Sequence, residues 1–200
     1  MRRLPTLCLL LLGAPATAAP LAMPEDYELV WSDEFDGTGL PDPRKWDYDT
    51  GYNARGWHNE EKQYYSAARP ENSRVEDGRL IIEARAEELK DRADWGGQKY
   101  SSARLVTRDR ASWTYGFFET RAKLPCGIGT WPAIWTLAQG PDAPWPDSGE
   151  IDIMEHVGFD PGVVHQTLHT GAFNHVLGTH KSGQVRVDEM CDAFHNYQLH

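Results

Sequence analysis

Glu150, Asp152 and Glu155 stand close together in the run Gly149-Glu150-Ile151-Asp152-Ile153-Met154-Glu155-His156. Ile151 and Ile153 alternate with Glu150 and Asp152, the period of two that marks a strand with one apolar and one acidic face. Unbroken alternation would turn Glu155 into the core, where an unpaired carboxylate costs several kcal/mol. One extra residue at Ile153-Met154, a β-bulge, returns Glu155 to the acidic face. Crowded carboxyls raise one another's pKa, so one stays protonated while a neighbour is ionised. A nucleophile beside a general acid/base is the equipment of a retaining glycosidase. Two other readings fit the same residues: a solvated acidic face, and a calcium site made of carboxylate oxygens. Extended-strand spacing makes one ion shared by all three awkward, and a solvated face leaves the flanking tryptophans without a role.

Those tryptophans are the next candidates. Trp131 and Trp135 are four residues apart with small Ala133 between them, so in a strand both indoles share a face. They could carry the apolar C–H face of a sugar ring, although Trp135 serves equally as a core residue. Trp145, in Pro144-Trp145-Pro146, belongs to a turn at the edge of a cleft. His165 and His169 also share a strand face, about 13 Å apart along the chain, too far for a common metal ion.

These residues need a β framework. Strand-like runs cover 27–31, 79–85, 102–107, 115–124, 131–137, 150–157 and 163–170, with Gly, Pro, Asp and Asn between them. Asp77-Gly78 is a hairpin dipeptide. Residues 41–75 are long, aromatic and aperiodic, the character of a functional loop, and only 83–93 offers a helix. A sandwich or barrel follows, without internal repeats or a dividing linker.

Composition excludes several alternatives. The 200 residues carry a net charge of −10, which repels phosphate backbones and argues against nucleic acid as a partner. No apolar run reaches the ~18–20 residues of a membrane span. There is no dinucleotide fingerprint or phosphate loop, so no redox or nucleotide cofactor is implied. Eight tryptophans against six phenylalanines is more indole than a core needs. A basic head (Arg2, Arg3), a leucine-rich stretch and Ala16-Thr17-Ala18 have the layout of a signal peptide over residues 1–18. Secretion or periplasmic export is therefore expected, and removal of the two arginines takes the charge to −12. Cys126 and Cys191 then remain, either as a disulfide in an oxidising compartment or as two buried thiols.

The segment Glu150-Ile151-Asp152-Ile153-Met154-Glu155 resembles the signature of glycoside hydrolase family 16, in the six-residue bulged form of its laminarinases. Leu29-Val30-Trp31-Ser32-Asp33-Glu34-Phe35, Lys45-Trp46, Val75-Glu76-Asp77-Gly78, Ser112-Trp113-Thr114-Tyr115-Gly116 and Trp131-Pro132-Ala133-Ile134-Trp135 resemble family segments in family order. The resemblance implies an all-β, concanavalin-like jelly-roll sandwich and endo-β-1,3-glucanase activity on laminarin-type β-glucans. Other family polymers (mixed-linkage glucan, agarose, carrageenan) and a non-catalytic glucan-binding protein are the alternatives. It implies Glu150 as nucleophile, Glu155 as acid/base and Asp152 between them. It also implies a substrate-facing role for Asn59, in a loop where Glu60 departs from the usual Asn, and for Arg104, which fits a surface ion pair equally well. His169 would stand near the carboxyls, against Asp152 or the sugar. Glu34 and Gly78 resemble two members of a structural calcium site. A monomer is expected. In the family further strands follow the equivalent of Phe194–His200, so residues 19–200 are expected to form an incomplete catalytic domain.

Overall fold

The computed structural model describes residues 22–140 and 144–200, so the expected signal peptide (1–18) lies outside the described residues. The strands are β1 (Asp47–Tyr48), β2 (Gln63–Tyr65), β3 (Ser73–Glu76), β4 (Arg79–Ile82), β5 (Tyr100–Ser102), β6 (Leu105–Val106), β7 (Phe118–Ala122), β8 (Ala133–Leu137), β9 (Glu150–Glu155), β10 (Val163–His169), β11 (Lys181–Arg186) and β12 (His195–Leu199). Helix among the described residues amounts to two 3-10 turns, Asn53–Arg55 and His58–Glu60. The fold is the all-β jelly-roll sandwich that the sequence implies.

The acidic run forms β9, near the centre of an antiparallel sheet ordered β11-β10-β9-β8. Opposite β9, Ile134 faces Met154 and Trp135 faces Asp152, which leaves Ile153 as the extra residue of a bulge. A matching irregularity separates His165 and Thr167 on β10. The bulge has an energetic consequence as well as a geometric one. Ile153 and Met154 both enter the core with Leu124, Val164, Met190 and Tyr197, each gaining about 1.5–3 kcal/mol from burial. The second layer is the β12-β7 pair, from which Tyr197 reaches that core and Leu199 packs against it. The sandwich thus anchors the middle of β9 from behind and leaves its carboxyls on the other face.

Asp77-Gly78 makes the β3–β4 hairpin, with φ of 52° and 69°, the left-handed pair that a two-residue type I′ loop requires. Cys126 and Cys191 are joined by a disulfide with Cα atoms 5.7 Å apart.

Three local expectations are corrected. Residues 83–93 are not helical: at the start of the run Glu83 N–H donates to Asn72 O and Arg85 exchanges two bonds with Ser101, and at its end Arg92 N–H closes a turn on Leu89 O. Residues 27–31 alternate in sequence but form no strand. Leu29 and Val30 are more than 70% exposed, and alternation alone supplies no ladder partner. Residues 102–107 divide between β5 and β6, which pair with different strands. The aperiodic 41–75 segment holds β1, both 3-10 turns, β2 and most of β3.

Candidate active site

The three carboxyls of β9 are held by different neighbours. The turn before β9 carries Trp145, whose indole Nε1–H donates to Glu150 Oε2 at 2.5 Å. The segment before β8 carries Trp131, whose Nε1–H donates to Glu155 Oε1 at 2.9 Å. Trp131 lies outside β8 and is 49% exposed. The expectation that it shares a strand face with Trp135 is therefore corrected, because the strand begins only at Ala133. Both indoles hold a glutamate by their N–H, an edge contact that leaves the ring faces for other use.

Asp152 lies between the glutamates with 5% exposure. Burial first, then the charges of Glu155 and Glu150, push its pKa up to about 8. At neutral pH it is a carboxylic acid and can donate to Glu150, its hydrogen-bond partner. His169 Nε2 stands 3.5 Å from Asp152 Oδ2. Burial holds the pKa of His169 down, so this contact joins two neutral groups rather than an ion pair. Burial also raises the pKa of Glu155, with Glu150 adding to it, while the Trp131 bond and His165 oppose. The site therefore holds protons at Asp152 and favours one at Glu155, as acid catalysis near neutrality requires.

One flank is built on Arg104. Its guanidinium lies 4.6 Å from the ring centroid of Trp135 and 5.0 Å from that of Trp57, and its Nε is 3.4 Å from Asp49 Oδ2. Arg104 is thus an ion pair and a cation–π bracket together. Through it the 53–65 loop is linked to Trp135, the cross-strand neighbour of Asp152.

Asn53, buried and absent from the sequence-derived candidates, organises that loop. Its side chain donates to Tyr65 O and to Asp94 Oδ2, and accepts from Trp57 Nε1–H and Tyr65 N–H. Asp94 is 41 residues away, so no local spacing could have flagged the pair. Asn59 is exposed in a left-handed conformation (φ 56°). Glu61 turns to protein groups, accepting from Tyr65 Oη–H and Gln63 Nε2–H. His156 is fully buried, with Nδ1 3.0 Å from Val163 O and Nε2 3.6 Å from Cys126 Sγ.

Glu34 lines an open pocket of about 490 Å³ with Asp33, Asp36 and Asp42, while Gly78 lies in the β3–β4 turn. Asp33 is already engaged by Trp46 Nε1–H and Lys45. Among the described residues no three His, Cys, Asp or Glu side chains are grouped to hold a metal ion. Glu34 and Gly78 together would supply a minority of the ~6–8 oxygens that calcium takes.

A family model described as "XgeA-like, catalytic GH16 domain" matches residues 63–198. A beta-glucanase of Rhodothermus marinus is 60% identical over 179 residues, covering 86% of this chain and 59% of the relative. A glucan endo-1,3-beta-glucosidase of Cryptopygus antarcticus is 40% identical over 176 residues, covering 86% and 62%. The chain therefore spans about three fifths of the length of these two relatives. Among solved structures, SCLam, a non-specific endo-beta-1,3(4)-glucanase, superposes with a TM-score of 0.87 at 54% identity, covering 90% of this chain and 67% of that one. With the bulged Glu-Ile-Asp-Ile-Met-Glu strand in place and the family model matching most of the described residues, the chain belongs to glycoside hydrolase family 16.

Proposed function

We propose that this protein is a retaining endo-β-1,3-glucanase acting on laminarin-type β-glucans. The observation that carries the reading is the arrangement on β9, with Glu150 and Glu155 each held by an indole N–H and buried Asp152 between them. In the first step a Glu150 oxygen attacks the anomeric carbon. The bond to the leaving sugar oxygen breaks, and Glu155 gives that oxygen its proton. The product is a glycosyl ester on Glu150. In the second step Glu155 takes a proton from water, the water oxygen attacks the same carbon, and Glu150 departs as carboxylate. Two inversions return the original configuration. Asp152 adjusts the charge on Glu150 through its shared hydrogen bond.

The long polar and aromatic flank from Asn53 to Tyr65, with Arg104, Trp57 and Trp135, suits an extended polysaccharide, and Asn59 is free to reach it. Secretion or periplasmic export, directed by residues 1–18, and a monomeric state complete the reading. No redox or nucleotide cofactor enters it. Calcium at Glu34 and Gly78 is assigned a structural role only, and is supported if a chelator lowers Tm while leaving kcat unchanged.

The test is incubation with laminarin, mixed-linkage glucan, agarose and carrageenan, followed by oligosaccharide analysis. A ladder of laminarin products supports the proposal. Turnover of another polymer alone reassigns the substrate, and binding of laminarin without turnover makes the protein a glucan-binding one. Glu150→Ala should abolish hydrolysis, and azide should restore cleavage as a glycosyl azide of inverted configuration. Near wild-type turnover in that variant would sink the nucleophile assignment.

A further inference from the structure

The Glu150 and Asp152 neighbours, Trp145 and His169, meet a third ring that the catalytic scheme does not use. His175 lies with its centroid 4.9 Å from Trp145 at an interplanar angle of 34°, and 5.3 Å from His169 at 89°. Trp145 and His169 are themselves 5.9 Å apart. The three rings form a triangle, two of whose members touch catalytic carboxyls.

His175 is exposed, yet its backbone is well determined by the loop between β10 and β11. Asn174 is fully buried and gathers that loop. Its Nδ2 donates to Thr170 O and Gly171 O, and its Oδ1 accepts from Leu177 N–H. Thr179 closes the loop, its N–H donating to Asn174 O and its hydroxyl to Ala172 O. At Gly171 the loop touches the Trp145 turn so closely that a Cβ would collide with the Asp147 carboxylate. The loop therefore fixes the backbone from which His175 is presented to the two rings.

We propose that His175 is a positioning residue. Its imidazole pins the Trp145 and His169 rings, and through them it orients the Glu150 and Asp152 carboxyls. The inference rests on the catalytic reading of those carboxyls. The contacts are ring on ring, so the flat shape of the side chain is what they use. Without it, Trp145 loses a packing neighbour and can turn its N–H away from Glu150. His180 lies 5.8 Å from His169, whereas His175 packs on both His169 and Trp145.

The test compares His175→Ala and His175→Phe by two readouts. The first is the Trp145 indole N–H resonance, assigned by its loss in Trp145→Phe. In His175→Ala it should shift and exchange faster with solvent, while the other indole resonances stay in place. In His175→Phe it should remain near its wild-type position. The second is laminarin hydrolysis, where His175→Ala should lower kcat about tenfold with KM within about twofold, and His175→Phe should recover most of the loss. An unmoved Trp145 resonance in His175→Ala overturns the inference, as does equal loss of kcat in both variants. A wild-type protein that cleaves no glucan overturns the proposed function instead, and the resonance then decides the positioning role by itself.

Discussion

Trp131 and Glu155 are joined by a 2.9 Å hydrogen bond from the indole Nε1 to Oε1, across 24 residues of chain. The bond favours the ionised carboxylate, whereas burial favours the acid. The balance sets how readily Glu155 can give up its proton. Trp131 thus acts on the protonation of Glu155 by its edge, whatever its ring face carries.

Trp131→Phe keeps an aromatic face and removes the N–H. The carboxylate loses a stabilising donor, so the pKa of Glu155 rises further. The basic limb of the kcat/KM–pH profile for laminarin, which reports the acid in the free enzyme, should move to higher pH. A limb that stays or moves down would refute the role given to this bond.

Asp152→Asn should uncouple stability from pH. The folded pKa is about 8 against an ordinary 3.8, so between these values the native state holds a proton that the unfolded chain releases. Stability therefore falls as pH rises through that window. Asn cannot ionise and removes this slope. His169, whose pKa is lowered from 6.5, acts in the opposite sense, costing stability as pH falls below 6.5. The clean comparison is thus Tm at pH 6.5 and 8.5, with the wild type losing a few degrees more than the variant. Glucanase activity should drop about a hundredfold.

Arg104→Lys retains the charge near Asp49 but not the flat group between Trp57 and Trp135. Loss of that bracket loosens the 53–65 flank, and KM for laminarin should rise about three- to tenfold with a smaller effect on kcat. Steady-state kinetics on oligosaccharides of increasing length would check this. A kcat effect alone would place Arg104 with the carboxyls instead.

The Cys126–Cys191 disulfide has a sequence separation of 65. A cross-link of that span is worth about 2–4 kcal/mol through the unfolded chain. Cys126→Ser with Cys191→Ser should lower the urea midpoint accordingly, without a change in the substrate preference.

Much of this site was legible in the sequence because β structure has a period of two. Glu150, Asp152, Ile151 and Ile153 declare a two-faced strand, and the misfit of Glu155 in that alternation announces the bulge, which the register with Ile134 and Trp135 bears out. Asp77-Gly78 declares its hairpin for an equally local reason, the need for positive φ at both positions.

Other features depend on contacts between distant parts of the chain, which no spacing encodes. The edges of Trp131 and Trp145 reach the glutamates only because two loops end at opposite ends of β9. Arg104 is fixed by Asp49, Trp57 and Trp135, and Asn53 by Asp94. Residues 83–93 offered a helix locally, but Glu83 and Arg85 bond to Asn72 and Ser101 in an extended form and the run ends in a turn. The sequence determined which chemical groups are present and which share a strand face. Tertiary structure decided how they are protonated and held, because burial and cross-chain hydrogen bonds arise only when the layers close.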